Sequence, residues 1–387
     1  MGKKRKKIGI VFGWDESWAG GLYYLLNVIH ALNTLPEGEK PELFIYDSNE
    51  RNLSALSNIH YPYLYYKNSL KNLNLVERII NKLCRKLTGY NVFSMENIGI
   101  IDHYFPLYEY RNDLIYDYYK SKRIFWIPDF QHKHLPEYFS SKELELRDRI
   151  FGSVANKNVR LVLSSNDARE DFVRFFPKYK CKIFVVPFAV TLPPIDHLTR
   201  NEIIKKYGLN EIFFIAPNQF WAHKNHIIIL RALKILKQKG VYTQIVFTGK
   251  EDDYRNQNHV GNLKQFILEN QLNDYIKSLG FIDRADQLKL IQESIAVIQP
   301  SLFEGWSTVV EDSKALNKGL ILSNLKVHHE QCGQNVLYFD PNNEVELANH
   351  IIFVLENIDI KPFYPLDYSS NVIKFGVEIN KVFIKQK

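Results

Sequence analysis

The residue types best suited to chemistry crowd into one stretch, Gln299-Pro300-Ser301-Leu302-Phe303-Glu304-Gly305-Trp306-Ser307-Thr308-Val309-Val310-Glu311-Asp312. Its apolar lead-in, residues 295–298, reads as a buried strand; Pro300-Ser301 turns the chain, and Ser307-Thr308 can open a helix. A helix start offers unpaired N–H groups and the positive end of the helix dipole, which suit a phosphate. In an open parallel sheet such a junction lies at the carboxyl ends of the strands, where ligands bind. Acids at this spacing usually mark no more than a helix surface. Here they flank a loop suited to an anion, and Lys224, in the loop Asn218-Gln219-Phe220-Trp221-Ala222-His223-Lys224, adds an ammonium.

The elements that would position these groups alternate strand, loop and helix. Ile8–Phe12 reads as a strand running through a loop with Gly20-Gly21 into a helix from Leu22, and Leu43–Asp47 reads as a second strand. Arg123–Ile127 ends at Pro128 and leads into a polar loop carrying Asp129, His132 and His134. Val159–Leu163 and Lys182–Val190 close this first series, and Thr191-Leu192-Pro193-Pro194 begins a linker, since paired prolines stiffen the chain. A second series follows: Ile212–Pro217, Gln244–Thr248, Leu279–Asp283, the run before Gln299, and Gly319–Ser323. The expected class is α/β with two Rossmann-like domains, residues 1–190 and 211–368, a linker 191–210 and a terminal helix in 369–387. The loop with Gly20-Gly21 lacks a dinucleotide fingerprint, so NAD binding finds little support.

Composition sets outer bounds. A chain of 387 residues with 45% hydrophobic content can bury two domain cores. The charge is 50 minus 43, or +7, with Lys3-Lys4-Arg5-Lys6-Lys7 supplying five positives; this run reads as a solvated tail or as an attraction to nucleic acid or anionic lipid. A strand follows it at once, which argues against secretion. No run of 18 apolar residues is present, and Cys84, Cys181 and Cys332 are scattered without metal-ligand spacing, as in a reduced cytoplasmic protein. Between 75 and 87, Leu75, Val76, Ile79, Ile80, Leu83 and Leu87 share one helix face, opposite Arg78, Lys82, Arg85 and Lys86. Such a helix either covers a core or lies on an anionic membrane.

The run Ser301-Leu302-Phe303-Glu304-Gly305-Trp306, with the following acid pair and Lys314-Ala315-Leu316, closely resembles the donor-site signature of GT-B glycosyltransferases of family 4, which are retaining enzymes. The resemblance implies two Rossmann-like domains facing each other across a cleft. The first would bind the acceptor, the second the nucleotide-sugar, and the terminal helix would cross back to the first. In that family Glu304 contacts donor-sugar hydroxyls, and a second acid after seven intervening residues binds the ribose. Asp312 has that spacing; Glu311 is the rival, because a +7 neighbour returns to nearly the same helix face.

Carried over in the same way, Gly20 and Gly21 match a glycine pair lying against the donor diphosphate. Gly305, Trp306, Ser307 and Thr308 complete the donor loop, and Phe281 falls in the segment that holds the base. Lys224 matches a diphosphate lysine, whereas Gln219 stands where an arginine is usual, removing a charge and a bidentate fork. Asp129 matches the aspartate of a His-Asp pair, but Pro128 occupies the histidine position; His132 is the substitute and His134 a weaker competitor. Asn317-Lys318-Gly319 replaces a Gly-x-Pro and preserves a left-handed helix cap.

The implied reaction moves a sugar from a nucleotide-sugar to an acceptor hydroxyl, in surface polysaccharide or glycolipid synthesis. No Asp-x-Asp motif is present, so neither a metal nor another cofactor is expected. The expected partners are the nucleotide-sugar, a glycan or lipid-linked acceptor and an anionic membrane surface, with no nucleic acid. The expected location is the cytoplasm or the inner face of the plasma membrane. Two alternatives stay open: a nucleotide-sugar 2-epimerase of the same fold, and a non-catalytic sugar-binding partner of a transferase, suggested by Gln219 and Pro128.

Overall fold

The computed structural model describes residues 4–12, 19–47, 56–57, 59–66, 74–88, 101–108, 123–334, 336–357 and 367–384. The expected loop at 13–18, Lys3 of the basic run, the side chains of 85–88 and the last residues of the terminal segment lie outside them. Of the described residues, those within 1–129, 145–191 and 369–387 form one compact unit, and those within 130–144 and 192–368 form another.

The first unit contains β1 (Lys7–Phe12), α1 (Ala19–Asn33), β2 (Glu42–Asp47), β3 (Leu64–Tyr66), α2 (Leu75–Thr88), β4 (His103–Leu107) and β5 (Arg123–Ile127). The chain then enters the second unit through α3 (Gln131–His134) and returns along α4 (Ser141–Ala155) to β6 (Arg160–Leu163), α5 (Asn166–Phe175) and β7 (Lys182–Val185). The strands form one parallel sheet in the order β3-β2-β1-β4-β5-β6-β7. Ile8, Ile10, Leu43, Ile124 and Leu161 are fully buried, the near-continuous apolar character of strands covered on both faces. Gly9 is required here, because a Cβ would stand 2.7 Å from the Tyr104 ring and 2.9 Å from Tyr46.

The second unit contains α6 (Arg200–Tyr207), β8 (Phe213–Pro217), α7 (His226–Gln238), β9 (Gln244–Thr248), α8 (His259–Glu269), β10 (Ile276–Ser278) and α9 (Arg284–Glu293). It continues through β11 (Val297–Gln299), α10 (Thr308–Ala315), β12 (Leu320–Ser323), α11 (Lys326–Cys332), β13 (Leu337–Phe339) and α12 (Glu344–Glu356). Its parallel sheet runs β10-β9-β8-β11-β12-β13, with Phe213 opposite Gln244 and Val297 opposite Leu320. Two apolar layers sandwich it, one built on Phe214, Leu233 and Phe247, the other on Phe213, Leu290 and Val310. The strand order reverses between β8 and β11, so the loops leaving these two strands diverge around a crevice at the carboxyl edge.

Several local expectations change. The strand placed at Leu279–Asp283 ends earlier, at Ser278: Gly280 takes φ 65° and Asp283 caps α9 by accepting from the Ala285 amide. The stretch 191–210, expected as a linker, contains α6, started by a capping box between Thr199 and Glu202 and packed through Ile203 and Ile204 on the sheet. The terminal helix α13 (Ser369–Ile384) packs on α1, where a Cβ on Gly376 would lie 2.1 Å from the Ala31 carbonyl oxygen. Asn317 adopts φ 53°, the left-handed cap anticipated for it.

The basic start is no loose tail over its described residues. Arg5 lies 3.8 Å from the Tyr63 ring centroid and donates to the Lys40 carbonyl at 2.9 Å, while Lys6 and Lys7 face Asp102 and Glu42 at 3.8 and 3.7 Å. Helix α2 does not cover a core with its apolar stripe: Leu75, Val76, Ile79 and Leu83 are exposed, and Asn81 is buried. Among the described residues no helix is long and apolar enough to cross a membrane.

Candidate functional site

The two loops at the crevice of the second sheet are stitched together. The Leu302 amide donates to the His223 carbonyl at 2.8 Å, the Asn225 carboxamide to the Pro300 carbonyl at 3.1 Å, and the Asn218 carboxamide to Gln299 Oε1 at 2.8 Å. Close approach needs a glycine at the end of β9: Gly249 has φ 131°, and a Cβ there would be 2.3 Å from the Asn218 carbonyl oxygen. Sequence neighbours of β8 and β11 thereby become a single shell.

At its centre is Glu304. Its Oε1 accepts from Lys224 Nζ at 2.6 Å, Gln299 Nε2 at 2.7 Å and Ser301 Oγ at 2.6 Å. Among the described residues no donor reaches Oε2. Burial pushes this carboxyl up, but the Lys224 ammonium, its hydrogen bond and that of Ser301 outweigh burial and hold it below the usual carboxylate range. His328, fully buried on α11, is lowered by burial, with the Glu304 charge and the Ser323 backbone working against that; its Nε2 has no partner among the described residues.

Helix α10 begins at the same place. Ser307 caps it by accepting from the Val310 amide at 3.4 Å, while the Ser307 amide is taken by Gln331 Oε1 at 3.1 Å. The amides of Thr308 and Val309 have no acceptor among the described residues. Eight residues of α10 stand behind them as a dipole. Gly305 and Trp306, half-buried, close the loop between Glu304 and this helix start.

The two further acids are differently engaged. Glu311 Oε1 accepts from Lys314 at 2.9 Å and Gln331 at 3.0 Å, and Tyr368 donates to Oε2. Asp312 Oδ1 accepts from Arg284 at 2.5 Å on the opposite side, toward α9. Burial raises the Asp312 carboxyl, Arg284 pulls against it, and the neighbouring Glu311 charge leaves the net shift upward. Both acids are 1% exposed.

The remaining candidates are spread more widely. Gln219 is half-buried after β8, and Phe281 is 72% exposed after β10. Gly20 and Gly21 lie in the first turn of α1, in the first unit, and Asp129 follows β5 there. His132 is buried with its ring 6.4 Å from those of Phe130 and Phe139. His134, ranked second on sequence, is the one next to the loop after β11, with its ring 5.0 Å from that of Phe303.

Sequence reasoning missed Arg255. Its guanidinium lies 5.1 Å from the centroids of both Phe139 and Trp221, and it reaches Gln131 Oε1 and His223 Nδ1 at 3.4 Å, fastening the segment 130–144 to the loop that carries Lys224. Gln331 and Gln299 were missed as site residues for the same reason: a lone glutamine carries no sequence signal until its partners are known.

Residues 199–362 match the family described as Glycosyl transferases group 1. Solved structures resemble the chain over nearly its full length. A glycosyltransferase from Rickettsia africae gives a TM-score of 0.60 at 16% identity, covering 99% of this chain and 94% of that one. The fold is that of the GT-B glycosyltransferases, and the group 1 match lies within the second unit. Anabaena HepE, solved in complex with UDP and glucose, gives 0.60 at 14% identity, covering 97% of this GT-B chain and 95% of HepE. Sucrose-phosphate synthase from Thermosynechococcus elongatus gives 0.62 at 12% identity, covering 98% and 94%. In sequence, 149 residues are 25% identical to the O-antigen chain mannosyltransferase RfbU of Salmonella typhimurium; the match takes in 38% of this chain and 40% of that relative. The group 1 match spans the whole Lys224, Glu304 and α10 constellation.

Proposed function

We propose that this protein transfers a sugar from a nucleotide-sugar to an acceptor hydroxyl, with retention at the anomeric carbon, in surface polysaccharide or glycolipid synthesis. The observation that carries this reading is the state of Glu304: one oxygen holds three hydrogen bonds, the other none among the described residues, at a switch point beside Lys224 and the start of α10. In this reading the diphosphate lies across the amides of Thr308 and Val309. As the bond from the anomeric carbon to the phosphate oxygen breaks, those amides and the Lys224 ammonium take up the charge left on the leaving group. Glu304 Oε2 accepts from a donor-sugar hydroxyl and fixes the ring. The acceptor oxygen bonds to the anomeric carbon, and its proton passes to the departing diphosphate.

Asp312 or Glu311 serves the ribose, Phe281 borders the base, Gly20 and Gly21 are assigned to the diphosphate, and the first unit is assigned to the acceptor. Asp129 and His132 act on the acceptor side, with His134 as the competitor. Gln219 brings no charge, so Lys224 supplies the side-chain cation, and no metal or cofactor takes part. The resemblance to RfbU and to HepE supports a nucleoside diphosphate sugar as donor and a glycan as acceptor.

The test is nucleoside diphosphate release across a panel of nucleotide-sugars, with and without glycan and lipid-linked acceptors, and product configuration by NMR. Acceptor-dependent release with a retained anomer is expected. Donor consumed without acceptor would replace this reading with the epimerase, and donor bound without turnover would replace it with a non-catalytic sugar-binding protein.

The outward apolar stripe of α2, flanked by the exposed Arg78 and Lys82, favours an acceptor presented on an anionic membrane, at the inner face of the plasma membrane. Sedimentation with vesicles containing anionic lipid should be lost in Ile79→Ser/Leu83→Ser, and wild-type sedimentation of that variant would remove the membrane from the proposal.

A further inference from the structure

A cavity of about 340 Å³ opens beneath α8, apart from the Glu304 shell. Phe220, Leu230, Phe247 and Leu263 line its interior with His226, and Glu251, Lys264 and Ser278 rim it. The rim charges satisfy one another: Lys264 Nζ is 2.7 Å from Glu251, and Ser278 Oγ donates to Glu251 at 2.5 Å. Apart from these groups and the exposed Asn273, the lining is apolar except at one buried point.

That point is His226, 1% exposed at the start of α7. Its ring stacks on Phe220 at 4.4 Å and meets the edge of Phe247 at 5.3 Å. Among the described residues neither ring nitrogen has a hydrogen-bond partner; the Asn218 backbone lies near enough to favour the protonated ring slightly, but not in bonding geometry. Burial, with His259 and Lys224 nearby, pulls the imidazole down to about 3, so at neutral pH it carries one N–H and one lone pair. A buried polar group without a partner is costly, and a ligand that supplies one recovers that cost. A charged ligand would be left without a counter-charge against this lining.

We propose that this cavity is a second ligand site, distinct from the nucleotide-sugar site, for a neutral, largely apolar molecule of about two fused rings bearing one hydroxyl that pairs with His226. The size follows from the volume: an apolar cavity of about 150 Å³ already holds benzene, and this one is roughly twice as large.

The probes are 2-naphthol, its 6-bromo derivative and naphthalene, used on the full chain. Crystals soaked in 6-bromo-2-naphthol should show bromine anomalous density between α8 and Phe247, with the hydroxyl on His226. In solution, His226→Phe should bind 2-naphthol about fivefold more weakly, the worth of one neutral hydrogen bond, and bind naphthalene as the wild type does. Leu263→Phe, which fills the space, should abolish binding of both. Ordered waters alone in the soaked cavity would overturn the proposal even if neither variant folds, as would equal loss of naphthol and naphthalene binding in His226→Phe.

Discussion

Glu304 and the acids of α10 come from the same short run, are buried to similar degrees and each face a cation, yet they end in different states. Glu304 spends one oxygen on Lys224, Gln299 and Ser301 and keeps the other open. Glu311 uses both oxygens, on Lys314, Gln331 and Tyr368, while Asp312 turns away to Arg284. Net charge shift divides them as well: the Glu304 carboxyl lies below its ordinary value and the Asp312 carboxyl above it. Burial by itself thus does not mark a ligand site. A buried acid with unspent acceptor capacity does, because something must complete it.

The largest expected effect breaks the comparison outright. Glu304→Gln keeps the shape but loses the charge opposite Lys224, and Lys224→Ala removes the cation proposed to serve the leaving group. Each should lower kcat by about 10²–10³-fold, the usual worth of one preorganised electrostatic group, with circular dichroism unchanged. Turnover within threefold of wild type in either variant would place the chemistry elsewhere. Gln331→Leu should act in the opposite sense, on the scaffold: it leaves the Ser307 amide and Glu311 without their buried partner, so unfolding free energy should fall by about 1–3 kcal/mol. Denaturant midpoints measure this, and a loss of activity without a loss of stability would make Gln331 part of the binding surface.

The contrast was only half legible in the sequence. Pro300, Gly305 and Ser307-Thr308 act on their immediate neighbours, so strand end, loop and helix start could be read directly. Lys224 and Glu304 stand 80 positions apart, and their meeting follows from two adjacent parallel strands, β8 and β11, which no local pattern reveals. The cap that Gln331 places on Ser307 spans 24 positions and the Arg255 contact to Gln131 spans 124. Strands β3, β4 and β13 escaped notice, whereas the equally short β11 was read because an apolar run leads into it. Helix α2 was read correctly as amphipathic, but which face turned inward depended on packing, and among its described side chains the buried one is Asn81.

Proton linkage sharpens the same comparison. Because the folded Glu304 value is lowered, its contribution to stability is present above the ordinary carboxylate range and is lost as pH falls through the folded value. The stability gap between wild type and Glu304→Gln should therefore shrink toward acid. Asp312 has the reverse sign: its folded value is raised, so its contribution is present at acid pH and lost as pH rises through the folded value. Wild type should gain on Asp312→Asn as the solution is acidified. The buried His223 and His226, lowered chiefly by burial, weaken every one of these proteins below about pH 6.5 and cancel in the differences, whereas His328, which the Glu304 charge supports, cancels only in the Asp312→Asn comparison. Denaturant midpoints between pH 8 and pH 4 give both gaps, and gaps of the same sign would erase the distinction drawn here.

The smallest effect decides between the two acids. If Asp312 contacts the ribose, it does so through Oδ2, which no donor reaches among the described residues, while Oδ1 stays on Arg284 Nη2. Asp312→Asn retains a hydrogen-bonding oxygen and removes a carboxylate that burial already disfavours, so its cost should appear in donor KM, a few-fold increase with kcat near wild type. Glu311→Gln tests the rival: its single amide oxygen can accept from Gln331 or from Tyr368 but not from both, and the ion pair with Lys314 is lost, so stability should fall while KM holds. The reverse outcome, a raised KM in Glu311→Gln and none in Asp312→Asn, would show that the helix face nearer to Glu304, and not the sequence spacing, selects the ribose ligand.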